Sequence, residues 1–67
     1  MTYLVEMADG TFCILSPEKL VKHLSACRPV ANLYRLCKGM PPLRLLVWRL
    51  NGGVWMVTDE CKNMYEI

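Results

Sequence analysis

A chain of 67 residues with 54% hydrophobic residues, 21% charged residues and a formal net charge of +2 has room for one small core. Domains of this size bury only about 60% of the surface their unfolded chains expose. This composition excludes a disordered chain, and the charge is too weak to be the electrostatic footprint of a nucleic-acid surface by itself. No run reaches the ~18 apolar residues of a membrane-spanning helix, because the longest candidate, 43–50, contains Arg44 and Arg49. The opening segment MTYLVEMADG has acidic residues and an early turn in place of a basic region and a long apolar run. That argues against a signal peptide and for a cytoplasmic protein.

In chain order, residues 3–7 and 11–15 read as two strands joined by Asp9-Gly10, a two-residue hairpin signal. That loop pairs Met7 with Phe12 and Val5 with Ile14. Ser16-Pro17 reads as an N-cap followed by proline at the first helical position, where a missing N–H costs nothing. A helix over 17–27 follows, with Leu20, Val21, Leu24 and Cys27 as its apolar stripe, and Arg28-Pro29 ends it. Residues 30–38 are β-rich and alternating, and Gly39-Met40-Pro41-Pro42 breaks the chain. The segment 43–60, LRLLVWRLNGGVWMVTDE, then carries a strong hairpin signal in Asn51-Gly52. A two-residue turn there places Trp48 opposite Trp55, Leu46 opposite Val57 and Arg44 opposite Asp59, with Leu45, Val47, Val54 and Met56 on the other side. A last short strand spans 64–67. The expected architecture is a single α+β domain over 1–67, ββαβββ, with one helix packed on a four- to five-stranded, mainly antiparallel sheet.

Strands with two apolar faces expect cover on both, and one helix supplies only one covering layer. An apolar patch therefore faces outward and marks an interface. The chemistry of the remaining residues points the same way. His23 is the only histidine, without a nearby nucleophile motif, and no glycine-rich phosphate loop is present. The residues thus lack the constellation an enzyme needs. His23 and Cys27 stand four residues apart and could join Cys13 and Cys37 around a metal. However, the four cysteines, with Cys61, are separated by 14, 10 and 24 residues, contain no C-x-x-C pair and read as buried, reduced thiols. No metal or other cofactor is expected, and His23 reads as a boundary residue. Arg35, Arg44 and Arg49 with Tyr34, Trp48 and Trp55 have the composition of a platform on which single-stranded bases stack. The same composition is enriched in protein interfaces.

A chain of under 70 residues beginning at Met1, with a ββαβββ layout and an aromatic after the turn in LNGGVWMV, resembles small phage-encoded accessory proteins. In size and order of elements it is most similar to some inhibitors of type I CRISPR surveillance complexes. Its mild basicity departs from those members that imitate DNA. The resemblance implies a compact, catalytically inert protein that binds a large host complex in the host cytoplasm through a sheet face or edge. The leading expectation is thus a non-enzymatic protein-binding domain whose partner is a host protein or ribonucleoprotein complex. Its expected binding residues are Arg35, Arg44, Arg49, Tyr34, Trp48, Trp55, Val47 and Met56, since arginines and aromatics carry interface hot spots. A small single-stranded nucleic-acid binder and an obligate homodimer with stacked sheets are the alternatives.

Overall fold

In the computed structural model, which describes residues 1–67, the chain is an α+β domain of six strands and one helix. The strands are β1 (Thr2–Glu6), β2 (Phe12–Leu15), β3 (Asn32–Leu36), β4 (Leu43–Arg49), β5 (Trp55–Asp59) and β6 (Met64–Glu66), and the helix α1 (Pro17–Ser25) lies between β2 and β3. They form one sheet in the order β2-β1-β3-β4-β5-β6, antiparallel at every junction. One strand more than the expected four to five is present, and the class is as read from the sequence.

The helix starts where its caps predict. The Ser16 hydroxyl accepts the Lys19 N–H at 3.3 Å and Pro17 opens the first turn, so two of the four free N–H positions are dealt with at once. It ends at Ser25, two residues before the expected limit, and Cys27 follows in the left-handed region at φ 55°. Cys27 is consequently exposed, outside the apolar stripe assigned to it. Leu20 and Leu24 carry that stripe and pack on Tyr3, Val5, Leu33, Leu45 and Val57 of the sheet. His23 turns inward with them and is buried, contrary to its reading as a boundary residue. No helix is long and apolar enough to cross a membrane.

Three turns share one form, and that form decides which side every strand residue faces. In each, an N–H bonds the C=O four residues on: Met7 to Thr11 at 2.8 Å, Leu50 to Val54 at 2.9 Å and Asp59 to Asn63 at 3.0 Å. In each, the last residue of a three-residue loop is left-handed: Gly10, Gly53 and Lys62. Two-residue loops at Asp9-Gly10 and Asn51-Gly52 are thereby corrected to the three-residue hairpin with a bulge. Asn51 keeps a negative φ, which a type I′ turn does not permit.

The extra residue shifts each register by one, and a shift of one exchanges faces. Val5 pairs with Cys13 and Glu6 with Phe12. Trp48 pairs with Met56, and Arg49 with Trp55. The expected contact between Trp48 and Trp55 does not form, because the two indoles lie on opposite sides of the sheet. The covered face holds Tyr3, Val5, Cys13, Leu15, Leu33, Arg35, Leu45, Val47, Arg49, Trp55, Val57, Asp59 and Tyr65. Its alternate neighbours form the open face.

Candidate protein-binding face

The open face is built by alternation alone: Leu4 and Glu6 from β1, Phe12 and Ile14 from β2, Asn32 and Tyr34 from β3. Arg44, Leu46 and Trp48 from β4 continue it, then Met56 and Thr58 from β5, and Met64 from β6. Large apolar side chains are left in water there: Phe12 at 58%, Ile14 at 64%, Leu46 at 67% and Met64 at 66% exposure. At the hairpin tip, Leu50 and Val54 are exposed as well. Scattered exposed apolar residues are ordinary, whereas several on one side of a single sheet are the kind of feature that marks an interface. Here Phe12 and Ile14 lie on the β2 edge and Leu46 and Met64 on β4 and β6, with Glu6 and Asn32 between the two groups.

A short polar chain crosses the middle of this face. The Asn32 amide donates to the Glu6 carboxylate at 2.8 Å, and its carbonyl accepts from the Arg44 guanidinium at 3.1 Å. One side chain thereby links an anion and a cation across neighbouring strands. Glu60 accepts the Arg44 backbone N–H at 2.7 Å and holds the start of β4 to the turn after β5. The Trp48 indole N–H donates to the Thr58 hydroxyl at 3.0 Å, which ties the ring to the neighbouring strand on the open face. Beside this row a shallow cleft of about 270 Å³ runs between Arg44, Leu46, Thr58, Glu60 and Lys62.

Of the residues expected to bind, Tyr34, Arg44, Trp48 and Met56 come together on the open face. Arg35, Arg49, Val47 and Trp55 fall on the covered side. Arg49 stacks over the Trp55 ring at 5.2 Å, and the Trp55 N–H reaches the Ser25 hydroxyl at the end of the helix at 3.3 Å. Arg35 lies over Tyr65 at 5.1 Å in a cluster with Tyr3 and Asp59. Burial pushes the phenols of Tyr3 and Tyr65 up from their usual range, against the pull of the Arg35 charge. Burial alone would raise the Asp59 carboxyl too. Hydrogen bonds from the Asn63 backbone and amide and from the Cys61 N–H outweigh that and hold it below the usual range. These groups serve the turn and the core.

Phe12, Ile14, Leu46 and Met64 were not among the expected binding residues. Their signal was present in the alternation of each strand, but it points outward only once the loops are given three residues. Cys13 and Cys37 are half-buried, Cys27 and Cys61 exposed, and all four are free thiols. No three His, Cys, Asp or Glu side chains converge as a metal site would require. No family model, curated protein or solved structure matches the chain.

Proposed function

We propose that this chain is a protein-binding domain without catalytic activity that attaches to a larger complex through the open face of its sheet. The observation that carries the reading is the set of exposed apolar side chains, Phe12, Ile14, Leu46 and Met64, on a face that the single helix does not reach. Around them stand the aromatic and arginine anchors typical of interface hot spots, Tyr34, Trp48 and Arg44. The bridge from Glu6 through Asn32 to Arg44 orders the polar groups in advance, so less freedom is lost on docking.

The architectural resemblance to small anti-CRISPR proteins makes a type I CRISPR surveillance complex the first partner to test. Purified complex is titrated with the wild-type domain and with Leu46→Lys. Saturable binding by the wild type, weakened by the lysine without loss of folding, supports the proposal. Equal binding by both proteins, or none by either, counts against it.

Tyr34, Trp48 and Arg44 on one open side also give a second reading, a platform for single-stranded nucleic acid. Salt separates the two. Binding through phosphates falls steeply as salt rises, and binding through an apolar face does not.

A further inference from the structure

The two edges of the sheet are unlike. β6 is three residues long, carries Glu66 and follows Lys62, which are the ordinary protections of an edge strand. β2, Phe12-Cys13-Ile14-Leu15, carries no charge and no proline. Its backbone pattern can be assigned. The Met7 N–H bonds the Thr11 carbonyl, and hydrogen-bonded pairs in an antiparallel ladder recur every second residue. The amides of Cys13 and Leu15 therefore turn toward Val5 and Tyr3, their partners on β1. The N–H and C=O groups of Phe12 and Ile14 point away from the sheet, with no hydrogen bond to any other part of the chain.

We infer that β2 pairs antiparallel with β2 of a second copy, in a register centred on Cys13. This register is symmetric, so a two-fold axis passes between the two Cys13 residues. Phe12 of each copy then exchanges both of its outward hydrogen bonds with Ile14 of the other, and every free backbone group of the edge is satisfied. On the open face each Phe12 ring meets an Ile14 side chain, an aromatic and β-branched pair of the kind that favours cross-strand association. No charge on β2 opposes it. The two six-stranded sheets become one of twelve, and their open faces join into a single surface. A four-residue edge covers less than the roughly 800 Å² per partner of a standard interface, so the dimer is weak and depends on concentration.

The pairing has a covalent signature. Outside the ladder with β1, the two Cys13 residues form a non-hydrogen-bonded pair with Cα atoms about 4.5 Å apart, inside the range that a disulfide spans. Diamide, by taking two protons and two electrons from the two thiols, should link them.

The test uses the whole chain in two ways. Sedimentation velocity of the reduced wild type across the micromolar range should show a reversible monomer–dimer equilibrium. Moderate salt is used because Lys19 and Lys22, beside Leu15 on the covered side, are brought toward their counterparts. Ile14→Lys should weaken the dimer about tenfold or more, whereas Met64→Lys, equally exposed at the other edge, should leave it unchanged. A protein keeping only Cys13, with Cys27, Cys37 and Cys61 replaced by serine, should yield a diamide-linked dimer whose formation Ile14→Lys suppresses. A strict monomer at all concentrations overturns the inference. So does a dimer indifferent to Ile14→Lys. A dimer weakened equally by Met64→Lys would instead assign the contact to the open face.

Discussion

The two faces of the sheet are made from the same strands and nearly the same kinds of residue, yet they have opposite fates. On the covered side Tyr3, Val5, Leu33, Leu45 and Val57 close around Leu20 and Leu24. On the open side Phe12, Ile14, Leu46 and Met64 stay in water. Hydrophobicity alone therefore did not choose the core of this domain. The choice was made by where the helix returns after β2 and by the loop lengths that set each register.

The largest test of that contrast compares Leu20 with Leu46. Leu20→Ala removes a fully buried side chain and should lower unfolding stability by about 3 kcal/mol. Leu46→Ala, on the open side, should stay within about 0.5 kcal/mol of the wild type. Urea denaturation measures both, and equal losses would mean that the two faces are packed alike.

Next in size is the carboxylate that the covered face keeps. Asp59 has its folded pKa lowered, so its ionised form favours the folded state, and that contribution is complete above the ordinary aspartate pKa of about 3.9. It is lost as pH falls through the lower, folded value. Asp59→Asn should destabilise the domain at neutral pH and flatten its acid limb in thermal melts. An unchanged limb would remove Asp59 from the account of the β5–β6 turn.

A smaller loss is expected at Gly53, where φ is 90° and an added Cβ would sit 3.0 Å from the Arg49 guanidinium. Gly53→Ala should cost about 1 kcal/mol through backbone strain. A neutral or stabilised variant would show that position 53 does not hold the left-handed conformation that this loop requires.

The two tryptophans sharpen the comparison with the least disturbance. In Trp55→Phe the remaining indole, Trp48, reports from the open face; in Trp48→Phe, Trp55 reports from the opposite face, beside the last residue of the helix. A partner that docks on the open face should shift emission in the first protein and leave the second nearly unchanged. The reverse pattern would place docking on the helix side.

The elements of the fold could be read from the sequence because each is punctuated: Ser16-Pro17 opens the helix, Arg28-Pro29 lies just beyond it, and Gly39 to Pro42 separates β3 from β4. The faces could not be read so directly. Alternation pins a register only when one side is polar, and the strand over residues 43–49 is apolar on both, so a slip of one residue breaks no pattern. The register is written in the second glycine of Asn51-Gly52-Gly53, which supplies the left-handed residue that closes a three-residue loop. That single residue puts Trp55, Val57 and Asp59, in place of Val54 and Met56, on the side of Leu45, Val47 and Arg49. His23 differs for another reason: it stands at i+3 from Leu20 and beside Leu24 on the buried helical face, a placement that its polar ring conceals when the stripe is read from apolar residues alone.

The strand order also bears on how quickly the domain folds. Four of the five junctions join strands adjacent in sequence, and β3 to β6 form a meander that can zip up from its own turns. The junction of β1 with β3 alone spans the helix and brings together residues such as Glu6 and Asn32, 26 positions apart. Closing a loop of that length carries an entropic penalty that the local hairpins avoid. The barrier to folding should accordingly lie at this closure, with the meander partly formed before the N-terminal hairpin and helix dock beside it.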